Sequence, residues 1–292
     1  MTTDIDVIIS HALNKSGFGH CRPEVEAVLR NEVLLSPNDL KSDSLPIGST
    51  KQGGEPDLSP GYDWPKYSCR GIPGLRNTSK PMTFLAQLRC ADIKPFAPPQ
   101  FPDRGLLSFF VAIEHNTLVC TKNEQPIGRV LYSPGFSVET QMRTPFPRGL
   151  YFDNRLPPGS LKIESSRGIG FDVLCEVIER HFGSSLEISG RIWDLYLQEI
   201  IPFGCHKLFG PPTMLELDVM EETRLLAQTD QWTRNNTSDD WLLLLEFDLV
   251  ELPFDLLHNE IGRLYYIIHR DDLAACRFHR TSVLYDALEP KS

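Results

Sequence analysis

One pattern occurs twice along the chain. Lys51-Gln52-Gly53-Gly54-Glu55-Pro56 and Lys207-Leu208-Phe209-Gly210-Pro211-Pro212 share the form Lys-x-x-Gly-x-Pro, 156 positions apart. Phe84-Leu85-Ala86-Gln87-Leu88 is answered by Leu243-Leu244-Leu245-Glu246-Phe247 at an offset of 159. Gly105-Leu106-Leu107-Ser108-Phe109-Phe110 is answered by Gly262-Arg263-Leu264-Tyr265-Tyr266-Ile267 at 157. Three blocks in one order at a nearly constant offset predict an internal duplication. One copy leaves apolar strand faces uncovered, so two copies are expected to close a common core. The expected fold class is α+β, with internally duplicated β-rich halves forming one compact unit and N-terminal and peripheral helices. Residues 81–115 and 239–270 should then be equivalent units related by a pseudo-twofold operation. Gly105 and Gly262 would enter matching strands, and Gln87 and Glu246 would hold matching positions.

The segments divide accordingly. Residues 1–44 are predicted to be helical. Ile5, Ile8, Ile9, Ala12 and Leu13 recur at helical spacing before Gly17 and Gly19, and a second helix opens at Pro23. That second helix would carry Val25, Val28, Leu29 and Val33 on one face and close at Pro37. Residues 45–199 hold the first β-rich repeat plus a middle segment, with strands expected at 84–88, 106–113 and 129–132. A helical stripe of Phe171, Leu174, Val177, Ile178 and Phe182 ends at Gly183. Residues 200–292 hold the second repeat, with a helix capped by Asp218 and strands at 241–247 and 262–269. Residues 45–292 are expected to form one compact domain.

Composition narrows function more than it names it. The 39 acidic and 29 basic residues give a formal charge of −10, which repels nucleic acid and anionic membranes. The start, Met1-Thr2-Thr3-Asp4-Ile5-Asp6, lacks the basic and apolar regions of a signal peptide, and the apolar run at 241–245 is far too short to span a bilayer. Seven scattered cysteines without a Cys-x-x-Cys pair argue for reduced thiols. A cytoplasmic location is the expectation.

Chemical motifs are sparse. Gly48-Ser49-Thr50-Lys51-Gln52-Gly53 has glycine and lysine in the wrong order for a phosphate loop, and no Gly-x-Ser-x-Gly elbow occurs. His20-Cys21 and Cys205-His206 lack the spacing that aims two ligands at one ion. No catalytic residue, metal or cofactor is therefore assigned. In the Lys-x-x-Gly-x-Pro segments, Gly54 and Gly210 are expected to supply a positive φ or a close backbone approach. The structural reading is a turn entering each half. The functional reading puts Lys51 and Lys207 at the mouth of a groove between the halves, with Tyr62, Trp64 and Trp241 as aromatic lining.

The same blocks carry a family resemblance. Gly53-Gly54-Glu55-Pro56-Asp57-Leu58, Asp63-Trp64-Pro65, Pro81-Met82-Thr83-Phe84-Leu85-Ala86-Gln87-Leu88 and Arg129-Val130-Leu131-Tyr132 carry it in the first half. His206-Lys207-Leu208-Phe209-Gly210-Pro211-Pro212 and Trp241-Leu242-Leu243-Leu244-Leu245-Glu246-Phe247-Asp248 continue it in the second. Over about residues 25–285 the chain resembles the YwqG-like family, a bacterial domain of unknown function. Three positions depart from that pattern: Glu246 and Glu216 stand where the family carries glutamine, and His258-Asn259-Glu260 stands for Trp-Gly-Asp. The resemblance implies an α+β fold with a duplicated β unit. It implies no activity, although relatives near polymorphic toxin genes suggest an immunity or partner-binding role.

The leading expectation is a non-enzymatic protein that binds a protein partner, basic and toxin-like, with toxin-neutralising immunity as its narrower form. The alternative is an enzyme or small-ligand protein using a groove between the repeats. Candidate ligand- or partner-binding residues are Lys51, Trp64, Gln87, His206, Lys207, Glu246 and Glu260.

Overall fold

A computed structural model describes residues 5–38, 45–68, 79–114, 117–120, 128–135, 142–150, 155–229, 237–249 and 261–288. Among the described residues ten strands form one sheet: β1 (Arg30–Pro37), β2 (Lys51–Gln52), β3 (Thr83–Arg89), β4 (Leu106–Val111) and β5 (Gly128–Ser133), then β6 (Gly159–Gly168), β7 (His206–Leu208), β8 (Trp241–Asp248), β9 (Ile261–His269) and β10 (Ser282–Leu288). Their order is β5-β4-β3-β2-β6-β1-β7-β8-β9-β10, with every described pairing antiparallel. The centre is β6 and β1, which pair over eight positions, from Arg30 opposite Gly168 to Pro37 opposite Leu161. Four strands follow outward on each side.

The two flanks share a register. In β3–β4, Phe84 faces Phe110, Ala86 faces Phe109 and Gln87 faces Ser108, with an irregularity between Phe84 and Ala86. In β8–β9, Leu243 faces Ile267, Leu245 faces Tyr266 and Glu246 faces Tyr265, with the irregularity between Leu243 and Leu245. Lys51 lies opposite Gln87, and Lys207 lies opposite Glu246. Gly105 O accepts the Cys90 amide at 3.0 Å, and Gly262 O accepts the Leu249 amide at 3.1 Å.

Alternation along the strands sends neighbouring side chains to opposite faces. Leu264, Tyr266 and Ile268 of β9 enter one core, while Tyr265 and Ile267 enter another. Because both faces are covered, the strand reads as a continuous apolar run. The inner core draws on both flanks: Phe109 meets Tyr266 edge to face at 5.2 Å, and Tyr266 Oη donates to Phe110 O at 3.0 Å. The sheet curls until its end strands approach, and a Cβ on Gly128 of β5 would lie 2.5 Å from Val283 Cγ2 of β10.

Helices cover the outside. α1 (Ile5–Lys15), α2 (Arg22–Val28), α3 (Phe171–Phe182) and α4 (Leu186–Leu195) share a core with Tyr196 and Ile200. α5 (Val219–Thr229) covers Trp241, Leu243, Tyr265 and Leu284. As expected, α3 ends at Gly183, with φ of 75°, and Asp218 Oδ1 accepts the Met220 and Glu221 amides at 3.2 and 3.1 Å. None of the described helices is long and apolar enough to cross a membrane.

One helical expectation is corrected. The helix starting near Pro23 stops at Val28, Leu29 turns extended at ψ of 138°, and Arg30–Pro37 is a strand. Val33 and Leu35 enter the inner core beside Leu161 and Leu208. Pairing with β6 along its whole length and with β7 over three positions satisfies this segment's backbone while its apolar side chains fill the core. Strand β6 was not expected either.

Candidate functional site

Each Lys-x-x-Gly-x-Pro segment is a short strand followed by a loop that turns back over the sheet, and the glycines behave as their spacing predicts. Gly54 has φ of +67°, and a Cβ there would lie 2.9 Å from Pro158 Cβ. Gly210 is a close approach instead, since a Cβ would fall 2.4 Å from Glu32 Cβ. The residue after each Gly-x-Pro is then tied to the sheet by one side chain. In the first half Gln87 Oε1 accepts the Asp57 amide at 2.9 Å, and in the second Glu246 Oε2 accepts the Thr213 amide at 2.8 Å.

The first cluster is built on a neutral amide. Gln87 Nε2 donates to Asp57 Oδ2 at 2.7 Å and to Ser49 O at 2.9 Å. Asp57 also accepts Gly48 N at 2.8 Å and Arg143 Nε at 3.0 Å. Lys51, only 1% exposed, donates to Glu55 O. Burial is the main influence on its ammonium; despite the nearby Asp57 carboxylate, and helped by Arg143, it brings the pKa down to about 8.

The second cluster moves the negative charge onto the strand. Glu246 meets Arg263 Nη1 at 2.6 Å and Lys207 Nζ at 3.3 Å. Arg263 Nη2 reaches Asp248 at 3.2 Å, and Lys207 donates to Thr213 Oγ1 at 3.1 Å. Glu32 of β1 stands 3.8 Å from Lys207 Nζ. Burial pushes the Glu246 carboxyl up, but Lys207, Arg263 and the Thr213 hydrogen bonds outweigh it and hold Glu246 below its ordinary value. Burial leaves Glu32 above its ordinary value, with Glu246 adding to the rise and Lys207 and Arg263 opposing it. A cavity of about 20 Å³ borders Glu32, Lys207, Thr213 and Tyr196, room for one water molecule.

The remaining candidates are held elsewhere. His206 Nδ1 accepts the Asp248 amide at 3.1 Å, so the proton sits on Nε2 and is donated to Gln52 Oε1 at 2.8 Å. Thr50 plays the same part in the first half, its Oγ1 accepting the Arg89 amide at 3.0 Å. Burial first, and Arg263 second, drive the His206 pKa down to about 3, which keeps the ring neutral. Trp64 is a core residue whose Nε1 donates to Met82 O at 2.8 Å. Glu260 lies outside the described residues. Lys207 and Glu246 are thus brought together, as are Gln87 and the loop after Lys51. The two lysines are buried, at 1% and 5% exposed, and stand at no groove mouth. Among the described residues no group of three or more His, Cys, Asp or Glu side chains is placed to hold a metal.

Arg263, Asp57 and Arg143 complete the clusters, and sequence reasoning did not single them out. Arg263 is the charged residue inside the Gly262–Ile267 block and aligns with Leu106 of the Gly105–Phe110 block, and that mismatch was its signal.

Above the second cluster the loop opens onto the surface. A cleft of about 770 Å³ is floored by Phe209, Gly210, Pro211, Pro212 and Thr213. Its walls are the start of β1 at Arg30 and Asn31, the first turn of α3 and the residues entering α5, with Trp241 and Arg270 beyond. A second cleft of about 700 Å³, lined by Tyr62, Arg104, Tyr132, Cys276 and His279 among others, lies where the sheet ends approach. Neither cleft is lined by Lys51 or Lys207, and no residue between 45 and 150 lines the first.

No curated protein matches the chain. The two loops, their anchoring side chains and both strand pairs nevertheless fall inside one recognised unit, for a family profile matches residues 50–287: the chain belongs to the family of the domain of unknown function DUF1963.

Proposed function

We propose that this is a cytoplasmic, non-enzymatic partner-binding protein, YwqG-like in character, whose partner seats in the cleft over the second Gly-x-Pro loop. One observation carries the reading. Lys207 and Glu246 are spent on Thr213 of the loop and His206 on the Asp248 amide and Gln52, while the surface above them is open. A buried network of paired charges rigidifies its surroundings, here with Arg263 Nε alone left without a hydrogen-bond partner among the described residues of the cluster, and a rigid concave floor is what recognition needs. The formal charge of −10 steers a basic partner toward the molecule, and neutralisation of a basic toxin is the narrower form of this role.

The architecture is part of the proposal. Shared registers on both flanks and matched anchors at Gln87 and Glu246 support an internal duplication, with β1 and β6 as the hinge of one folding unit. The test is capture of the neighbouring gene's product by the tagged full chain and by a Leu217→Glu variant. Leu217 lines the cleft and is 41% exposed, so the variant should fold normally. Retention by the wild type and at least tenfold less by the variant is expected. Equal retention, or none by either, overturns the reading.

A further inference from the structure

The cleft holds one group whose hydrogen bonding is incomplete. Trp241 begins β8, lines the cleft and is 5% exposed, yet its indole Nε1 has no acceptor among the described residues. Buried indole N–H groups ordinarily find a partner. Trp64 shows the ordinary case in this molecule, with Met82 O at 2.8 Å. The first turn of α3 also faces the cleft: Gly170 caps it without any side-chain acceptor, and Phe171, Asp172 and Val173 follow along the wall. Asp172 Oδ1 lies 2.7 Å from where a Gly170 Cβ would be, so a carboxylate already occupies that helix end. The site therefore favours a neutral acceptor over an anion.

Aromatic and proline surfaces belong to the same lining, with Phe171, Phe209, Pro211 and Pro212 sharing the cleft with Trp241. A polyproline II segment has no internal hydrogen bonds, so its carbonyls are free to accept, and its rings pack on aromatic faces. Among the described residues four carboxylates line the cleft, Asp172, Glu176, Asp218 and Asp239, against three arginines, Arg30, Arg180 and Arg270, and this slight acidic excess, with the acidic charge of the chain, suits a basic side chain flanking such a segment. Resting on the partner-binding reading above, we propose that the cleft docks an extended, proline-bearing segment of the partner, one of whose backbone carbonyls accepts the Trp241 indole N–H. Because Nε1 is shielded in the free protein, docking requires a rotamer change at the rim, a common event at interfaces.

The test is a titration of the 15N-labelled full chain with a blocked eight-residue polyproline peptide carrying one terminal arginine, read at the indole N–H signals. Glycine in place of proline provides the control peptide. The Trp241 signal is assigned by Trp241→Phe, or by its proximity to His269, whose ring lies 5.2 Å away, if that variant does not fold. The expected result is a saturating downfield movement of the Trp241 signal, an unmoved Trp64 signal, and at least fivefold weaker binding by Leu217→Glu. No movement at millimolar peptide, or equal movement with the glycine control, overturns the proposal. If peptide binding fails while the neighbouring gene's product is still captured through Leu217, the partner-binding reading stands and this segment class falls.

Discussion

Replacing Glu246 by glutamine would impose on the second cluster the residue that the first cluster uses. Glutamine keeps an acceptor for the Thr213 amide, as Gln87 does for Asp57. It removes the carboxylate that Arg263 meets at 2.6 Å and Lys207 at 3.3 Å, with Arg263 0% exposed. Breaking one side of a buried ion pair costs about 3–5 kcal/mol, because the partner charges stay behind. Glu32 offsets part of this. With Glu246 neutral, the repulsion that helps raise its pKa disappears, which favours its charged form beside Lys207. A net loss of about 2–4 kcal/mol is therefore expected at pH 7, read as a lower urea midpoint at unchanged m-value.

The pH dependence separates charge from packing. The folded carboxyl of Glu246 lies below its unfolded value, so its stabilisation is present above pH ~4.3 and is lost as pH falls through the folded pKa. The wild-type and Glu246→Gln curves should converge in acid. Adding Thr213→Asp would complete the first-half arrangement, since Thr213 Oγ1 already lies 3.1 Å from Lys207 Nζ. The double variant should recover at least half of the loss. A single variant within about 0.5 kcal/mol of wild type, the usual range for inconsequential surface changes, would refute the reasoning. So would a double variant as unstable as the sum of the two singles.

Two further outcomes follow from the buried bases. The Lys51 ammonium, brought down to about 8 by burial, binds its proton less tightly folded than unfolded, so wild-type stability should climb as pH rises from about 8 toward 10.5. Lys51→Met should remove that climb and gain up to about 3 kcal/mol at pH 7, less the lost hydrogen bond to Glu55 O, both measurable by urea unfolding across pH. His206 is held neutral with its pKa near 3, so its stabilisation is complete above pH 6.5 and is lost as pH falls toward 3. His206→Thr, copying Thr50, should cost about 2–4 kcal/mol at pH 7 through the vacated volume and the orphaned Gln52, and should flatten the acid limb of the thermal-stability profile.

How much was legible in the sequence depended on whether a residue's neighbours lay nearby along the chain. Apolar runs at 84–88, 106–113 and 241–247 declare strands because their own composition favours a pleated, buried surface, and β3, β4 and β8 form there. Gly183 and Asp218 declare helix ends because capping is local. Glu32-Val33-Leu34-Leu35-Ser36 is different, since its apolar residues satisfy a helix period and a strand period alike. What decides is a pairing with Leu161 to Gly168, more than 120 positions away. The partner strand was overlooked for a related reason: Leu161 and Ile163 alternate with polar residues, but three serines and an arginine dilute the pattern. The site followed the same division. Gln87 and Glu246 were found because the matching sequence blocks align them, whereas Arg143 and Arg263 reach their carboxylates only in three dimensions. The unequal charges then explain one another. A carboxylate sits on the loop at Asp57 in one cluster and on the strand at Glu246 in the other, and in each cluster an arginine and a lysine lie close to it. A buried cluster that must hold one loop against one strand can carry its negative charge on either, provided the cations remain within reach.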